Sequence, residues 1–242
     1  MPDVNAIRIR DLLLVALTLS TGAVDAISWF GLDKVFSAFM TGNMVFVGFR
    51  AVSADGPSVP RVLAALVAFA VGAAIAARIV GRTRAPGSMW PRGVTLTLGI
   101  ALIAQAAFLV LWIGVHAGPS SRAGDVLVGL SSLAMGMQTA AVFSLGVRAV
   151  FTTAATATLA VLAGDVSTWS TSSTERRRLA SVIVALFAGA VIGTLLFDHA
   201  PRAAPAFPLT MSVVVVLAAE LAWGRRTIGP VARLAQGAKK AA

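Results

Sequence analysis

The sequence predicts an all-α polytopic membrane protein that forms one compact bundle, and three observations lead to this fold class. Hydrophobic residues make up 57% of the 242 residues, whereas charged residues make up 12%, about half of their usual share in soluble domains. The mean hydropathy is +0.86. Long apolar runs recur along the chain. A soluble fold of this size could not bury so much apolar surface, because too many of its residues would lie outside.

Six apolar runs approach the roughly 20 residues that a helix needs to cross a hydrocarbon core of about 30 Å. They are Leu12–Leu32, Val62–Val80, Val94–His116, Val126–Leu145, Leu179–Phe197 and Phe207–Trp223. Two shorter apolar segments, Val35–Phe49 and Val150–Gly164, contain Thr, Ser, Gly or Asn. Each is either a tight full span or a broken, re-entrant element, which neighbouring helices must cover because lipid cannot satisfy an exposed backbone.

The positions of lysine and arginine favour six spans over eight. With six spans and both termini inside, 15 of these residues lie inside and 5 outside, whereas eight spans give 13 and 7. Cytoplasmic loops of membrane proteins are enriched in Lys and Arg. We therefore predict a multi-pass protein of the bacterial inner membrane with both termini cytoplasmic and residues 225–242 as a basic cytoplasmic tail.

Several functional classes are disfavoured by what the sequence lacks. It has no cysteine and only two histidines, so thiolate chemistry and a convincing metal site are not expected. It contains no phosphate-binding G-x-x-x-x-G-K-[ST] loop. The net charge of +10 lies mostly in short clusters beside apolar runs, which indicates topology rather than nucleic-acid binding. We predict no cofactor and no enzymatic activity, because no nucleophile–base pair is visible.

A shift of 115 residues superposes Gly31–Gly48 on Gly146–Ala163 with four identities, one of which pairs Thr41 with Thr156. The following helices add Gly72-x-x-x-Ala76 and Gly189-x-x-x-Gly193, two faces that allow close helix packing in lipid. The alternative explanation is convergent composition in a chain rich in Ala, Gly and Val.

The repeat predicts two halves, residues 11–117 and 124–224, within a single membrane domain that spans residues 1–242. Each half holds three spans and one short polar element. Because three is odd, the second half enters the membrane upside down, which gives the 3+3 inverted repeat common among secondary transporters.

Asp25 is the most conspicuous polar residue, because it lies well inside the first span, where an ionised carboxylate costs a few kcal/mol or more unless paired or hydrated. The residues at helical spacing on the same face as Asp25 are Thr18 and Thr21 before it and Ser28 after it. This face is expected to point into the bundle, within reach of the Thr41–Asn43 element. The functional interpretation is a substrate, cation or proton site, and the alternative is a structural carboxylate bonded within the bundle.

Two further groups are candidate site residues. Thr41, Gly42 and Asn43 lie in the middle of the first short element, where glycine permits a helix break and the polar side chains can satisfy freed amides or contact a ligand. Gln138 shares a helical face with Ser131 and is predicted either to bind ligand or to join helices. Gln105 has no evident polar partner and is predicted to serve packing.

These motifs together resemble a known family. Thr21-Gly22-Ala23-Val24-Asp25-Ala26, followed by Met40-Thr41-Gly42-Asn43 and Gly136-Met137-Gln138, is similar to the bacterial YoaK-like family of membrane proteins. The resemblance covers nearly the whole chain and implies a six-span inner-membrane protein. The second half departs from the family pattern, since Thr139 stands where the family often has Asn and Ala155-Thr156-Ala157-Thr158 replaces a Thr-Gly pair.

Our leading hypothesis is a secondary transporter or permease that moves a small solute or ion across the lipid bilayer. Asp25 would be the coupling or counter-ion residue, and Thr21, Thr41, Gly42, Asn43 and Gln138 would complete the central site. The alternative is a non-transporting assembly or partner-binding protein. Homo-oligomerisation is left open. A permease requires an open path to Asp25, whereas a structural carboxylate should be enclosed and fully hydrogen-bonded.

Overall fold

The computed structural model describes residues 4–52, 56–83, 88–115, 122–147, 155–168 and 172–224. These ranges contain helices and no β-strand, as predicted for an all-α protein. The helices are α1 (Val4–Gly31), α2 (Met40–Val52), α3 (Val59–Arg82), α4 (Arg92–Gly114), α5 (Arg122–Phe143), α6 (Ala155–Thr168), α7 (Ser173–His199) and α8 (Ala206–Trp223). The residues Val150 to Ala154 of the second short segment and the tail 225–242 lie outside the described ranges, so what was predicted for them stays a prediction.

Six of the described helices, α1, α3, α4, α5, α7 and α8, are long and apolar enough to cross a membrane. The helices α2 and α6 have 13 and 14 residues. At 1.5 Å per residue each is about 20 Å long, too short for a hydrocarbon core of about 30 Å. Six long helices and two short ones are the arrangement that the sequence predicts, and the chain is a multi-pass membrane protein.

The long helices run in alternating directions between two ends of the bundle. At one end, Arg61 near the start of α3 is bonded to Asp125 near the start of α5 and is 3.6 Å from Asp33, just after α1. At the other end, Arg178 near the start of α7 lies 3.9 Å from Asp11 near the start of α1. We call these the Arg61 end and the Arg178 end. The helices α3 and α5 are therefore parallel to each other and antiparallel to α1 and α7.

The closest packing in the first pair of parallel helices, α1 and α7, depends on glycine. Gly22 faces the backbone carbonyl of Leu186, and Gly189 faces the backbone carbonyl of Leu19. A Cβ at either glycine would overlap the backbone of the neighbouring helix. Small residues at such crossings bring backbones together, and the resulting van der Waals contact drives helix association in lipid.

The second parallel pair, α3 and α5, is packed in the same way. Gly72 faces the carbonyl of Leu133, and Gly136 faces the carbonyl of Phe69. Gly72 is the first member of the small-residue face predicted from the sequence, and Ala76, the second member, is fully buried. The two reciprocal glycine contacts fix both the depth and the rotation of α3 against α5.

The helix break in the first short element lies earlier than expected. The sequence predicts a break in the middle of Val35–Phe49, at the Thr41-Gly42-Asn43 motif. The non-helical residues are instead 32–39, and the motif forms the first turn of α2. Asp33 and Lys34 adopt positive φ values of 61° and 58°, and they turn the chain back along α1. Two successive residues in the left-handed region of φ/ψ space reverse the chain sharply. The helix α2 then packs against α3.

Candidate functional site

The carboxylate of Asp25, in the last third of α1, joins this helix to the returning chain. Its Oδ1 accepts hydrogen bonds from the backbone amides of Ser37 at 3.0 Å and Ala38 at 2.8 Å. Asp25 lies six residues before Gly31, the last residue of α1, which corresponds to a depth of about 9 Å at 1.5 Å per residue. The chain therefore re-enters the bundle to the level of Asp25 before α2 begins.

Two more polar side chains hold the same segment. The hydroxyls of Ser28 on α1 and Ser37 are 2.6 Å apart and share a hydrogen bond. Asn43, which is completely buried, accepts a hydrogen bond from the Phe36 amide at 3.0 Å and donates one to the Phe36 carbonyl at 2.7 Å. Non-helical backbone at membrane depth requires such internal partners, because lipid offers none.

Thr21 and Gln138, both predicted site residues, are in direct contact. The Gln138 amide donates a hydrogen bond to the Thr21 hydroxyl at 2.9 Å, and the Thr21 hydroxyl donates to the Leu17 carbonyl at 2.9 Å. The bond links α1 to α5. Gln138 is 1% exposed, and its Oε1 has no hydrogen-bond partner among the described residues.

Asp25 also lines a cavity of about 490 Å³ between α1, the returning chain, α6 and α7. Thr21, Asp25 and Thr156 supply its polar side chains. The remaining wall is apolar and includes four aromatic rings, those of Trp29, Phe30, Phe36 and Phe39. Phe30 and Phe39 are 51% and 42% exposed, so the wall continues onto the outer surface of the bundle. Asp25 is partly buried and faces open space.

Gly42 shapes one side of this cavity although it does not line it. A Cβ on Gly42 would lie 2.6 Å from a ring carbon of Phe39 and 3.2 Å from one of Phe36. Only glycine therefore allows both rings to lie over the first turn of α2. Because the backbone at Gly42 is already helical, this glycine makes room for the two rings and does not break the helix.

Thr41 is placed differently from the other predicted residues. Its side chain is exposed, and it is not among the residues that line the Asp25 cavity. The structure thus brings Asp25 and Thr21 together on the cavity wall. Gln138 is bonded to Thr21, and Asn43 is bonded to the returning chain at Phe36. The interaction of Asp25 with the first short element is made with backbone amides and not with the side chains of the Thr41–Asn43 motif.

Gln105, expected to serve only packing, lines a second and much smaller cavity of about 20 Å³ with Ser28 and Ser131. Its Oε1 has no hydrogen-bond partner among the described residues. The volume accommodates about one water molecule, and three polar side chains around it are enough to bind one. The sequence does not reveal this cavity, because the other two polar side chains that line it, Ser28 on α1 and Ser131 on α5, are distant from Gln105 along the chain.

The ion pairs at the two ends of the bundle are not predicted from the sequence. Arg61 is one of the 5 basic residues that the six-span topology puts outside, yet its side chain is 4% exposed and its Nε lies 2.9 Å from Asp125. The only signal is that Arg61 and Asp125 each lie near the start of a helix. No local pattern shows that these two helices are neighbours, since 64 positions separate the residues.

The sequence matches a known protein family over most of its length. The profile described as "Protein of unknown function (DUF1275)" matches residues 13–218, a range that includes all of the predicted site residues. The chain belongs to this family. The UPF0700 transmembrane protein YoaK of Bacillus subtilis (strain 168) is similar to this DUF1275 chain, with 35% identity over 163 residues, which are 65% of this chain and 68% of YoaK. No solved structure matches.

Membership of the DUF1275 family confirms the resemblance read from the T-G-x-x-D-A and M-T-G-N motifs. It agrees with the six long apolar helices, since the relative is itself described as a transmembrane protein. Neither the family description nor the name of the relative states an activity.

Proposed function

We propose that this protein is a secondary transporter or permease for a small solute or ion, with Asp25 as its coupling or counter-ion residue. The observation that carries the proposal is that Asp25, at membrane depth, lines a cavity of about 490 Å³ instead of being enclosed by protein. Ionisable residues within membrane-spanning segments are costly, and they typically mark pathways for ions, protons or substrates. The cavity also has the volume of a small-molecule site, about 300–1,000 Å³.

The proposal includes the 3+3 inverted repeat. An offset of 114 residues relates Leu19 and Gly22 on α1 to Leu133 and Gly136 on α5. These residues make the same type of close glycine-to-carbonyl contact, α1 with α7 and α5 with α3. A shared pair of reciprocal contacts supports a structural repeat over the alternative of convergent composition, because composition alone does not reproduce the register of packing.

The ion pairs at the two ends support the same relation. An offset of 117 residues takes Arg61 on α3 to Arg178 on α7, and an offset of 114 takes Asp11 on α1 to Asp125 on α5. Arg61 pairs with Asp125 at one end, and Arg178 approaches Asp11 at the other. Equivalent pairs at opposite ends are what an inverted repeat requires. Transporters of this class alternate access by moving one repeat against the other.

We further propose that the Arg178 end is cytoplasmic and that the membrane is a bacterial inner membrane. The start of α1 and the end of α8 lie at the Arg178 end, which supports a common side for both termini. The distribution of 15 inside and 5 outside basic residues then follows the positive-inside rule. Homo-oligomerisation stays open, and we propose no enzymatic activity and no nucleic-acid partner.

The second candidate function, a non-transporting assembly or partner-binding protein, is favoured by one observation. The bonds from Ser37 and Ala38 give Asp25 a structural role that needs no substrate. Under this alternative the cavity would be filled by lipid, and the charge of Asp25 would be dispensable. The two candidates therefore differ in what happens when the charge is removed but the hydrogen bonds are kept.

Reconstitution of the purified protein into liposomes tests the proposal. Solid-supported-membrane electrophysiology and solute counterflow, screened across cations, anions and neutral solutes, should detect flux for the wild type. Asp25→Asn should abolish it, whereas Asp198→Asn, the same change at an exposed position near the end of α7, should not. Absence of flux for every solute class, or full flux in Asp25→Asn, would favour the non-transporting alternative.

A further inference from the structure

The charge of the Asp25 cavity is the first clue to the class of ligand that it accepts. Among the described residues on its wall, Asp25 is the only one with a formal charge, and no lysine or arginine lies beside it. A ligand carrying a negative charge would be repelled by an ionised carboxylate and would find no cationic side chain to pair with. A ligand carrying a single positive charge would form an ion pair in a water-poor environment, where charge interactions are strong.

The aromatic wall is the second clue. Trp29 and Phe36 stack with ring centroids 4.9 Å apart, and Phe39 lies edge-on to Phe36 at 5.3 Å. These rings and Phe30 surround the space that Asp25 faces. Aromatic faces attract cations, and this attraction is the basis of quaternary-ammonium recognition in proteins. Carboxylate and aromatic rings together therefore favour a cation with an organic body.

The Asp25 cavity offers few oxygen ligands, which favours an organic cation over an inorganic one. Hard cations such as Ca²⁺ and Mg²⁺ take six or more oxygen ligands. The described wall offers the Asp25 carboxylate and two threonine hydroxyls, and the hydroxyl of Thr21 is already bonded to Leu17 and Gln138. In the described residues no cluster of three or more acidic, histidine or cysteine side chains could hold a metal. These oxygen atoms are too few to replace the hydration shell of a metal ion.

We infer that the Asp25 cavity binds a monovalent organic cation with an apolar body, such as a substituted ammonium ion. The inference rests on the proposed transport function, because it names the substrate class of the same site. The ammonium group pairs with Asp25, and the apolar body lies against Trp29, Phe39 and Leu186. A volume of about 490 Å³ has room for a body of the size of a substituted benzene ring.

The test compares benzyltrimethylammonium with neopentylbenzene, its neutral isostere, by calorimetric titration of the full-length protein in nanodiscs, with empty nanodiscs as the blank. Wild-type protein should bind the cation at least tenfold more tightly than the isostere. Asp25→Asn should weaken cation binding at least tenfold and leave the isostere within twofold. Equal binding of cation and isostere, or unchanged cation binding in Asp25→Asn, would show an apolar cavity for lipid and overturn the inference.

A second pair of variants keeps the test decisive if Asp25→Asn is poorly folded. Phe39→Leu removes an aromatic ring from the cavity wall, and Phe187→Leu makes the same change at a lipid-facing position that is 71% exposed. Only Phe39→Leu should weaken benzyltrimethylammonium binding, by threefold or more. Equal affinity in both variants would contradict the aromatic contribution.

Flux measurements separate a failure of the substrate class from a failure of transport. Binding of benzyltrimethylammonium by wild-type protein, together with absence of flux for every solute class, would leave the cation site standing and refute the transport function. Flux of an anion or a neutral solute, together with no binding of the cation by wild-type protein, would refute the cation site and leave the transport function standing.

Discussion

The carboxylate of Asp25 lies 2.8 Å from the backbone amide of Ala38, so that a residue deep in α1 anchors the chain that leads into α2. The same carboxylate faces a cavity of about 490 Å³. One group thus serves both the local structure and the proposed site. Variants that separate hydrogen bonding from charge distinguish these two contributions.

We expect Asp25→Asn to fold and Asp25→Leu to lose stability. The side-chain oxygen of Asn still accepts the amide bonds of Ser37 and Ala38, whereas Leu leaves both buried amides without their partner, at a cost of about 1–3 kcal/mol for each. Thermal unfolding in detergent measures the difference. If Asp25→Leu is as stable as the wild type, the anchoring role of the carboxylate is wrong.

Asn43→Ala should destabilise the protein by about 1–3 kcal/mol, because it removes the partner of both the Phe36 amide and the Phe36 carbonyl at membrane depth. Met44→Ala on the same helix is the control, since Met44 is 61% exposed. Hydrogen exchange should show faster exchange of the Phe36 amide in Asn43→Ala alone. Equal stability of the two variants would contradict the role assigned to Asn43.

Gly136→Ala should cost about 1–3 kcal/mol, because its new methyl group would overlap the backbone of Phe69 and force α3 and α5 apart. Gly129→Ala on the same helix has open space around its Cβ and should be neutral or stabilising by up to about 1 kcal/mol. Denaturant titration in mixed micelles compares them. A neutral Gly136→Ala would show that the close crossing is not required.

Asp125→Asn should be more destabilising than Arg61→Met, although each removes one partner of the same ion pair. Arg61 is 4% exposed, whereas Asp125 is 45% exposed and can be hydrated when its partner is lost. Removing Asp125 leaves a buried guanidinium with one carboxylate fewer. The double variant should be no less stable than Asp125→Asn, and a larger loss would contradict this asymmetry.

Single cysteines at Gly56 and Ser88 should react from opposite sides of the membrane. The chain has no cysteine of its own, so each introduced thiol is the only one. A membrane-impermeant maleimide added to intact cells should label position 56, and position 88 only after lysis. Labelling of position 88 from outside would reverse the proposed orientation.

The sequence by itself determined the membrane class, the number of long apolar helices and the position of a carboxylate, Asp25, within the first of them. These properties depend on local quantities: the length and apolarity of a run, and the cost of placing a carboxylate within it. For the two short elements the sequence left both a full span and a re-entrant element open, and the positions of lysine and arginine favoured six spans over eight. The small-residue face at Gly72 was also visible, because helical spacing is a local pattern.

The tertiary structure alone decided which groups meet. It placed the backbone of Ser37 and Ala38, and not Thr41, beside Asp25, and it paired Arg61 with Asp125. In the structure the helix break lies before Gly42, at residues 32–39. The chain turns back along α1 there, and Asp33 and Lys34 adopt positive φ values to make this turn. Contacts between distant residues depend on how helices pack, and a single sequence carries no local record of that packing.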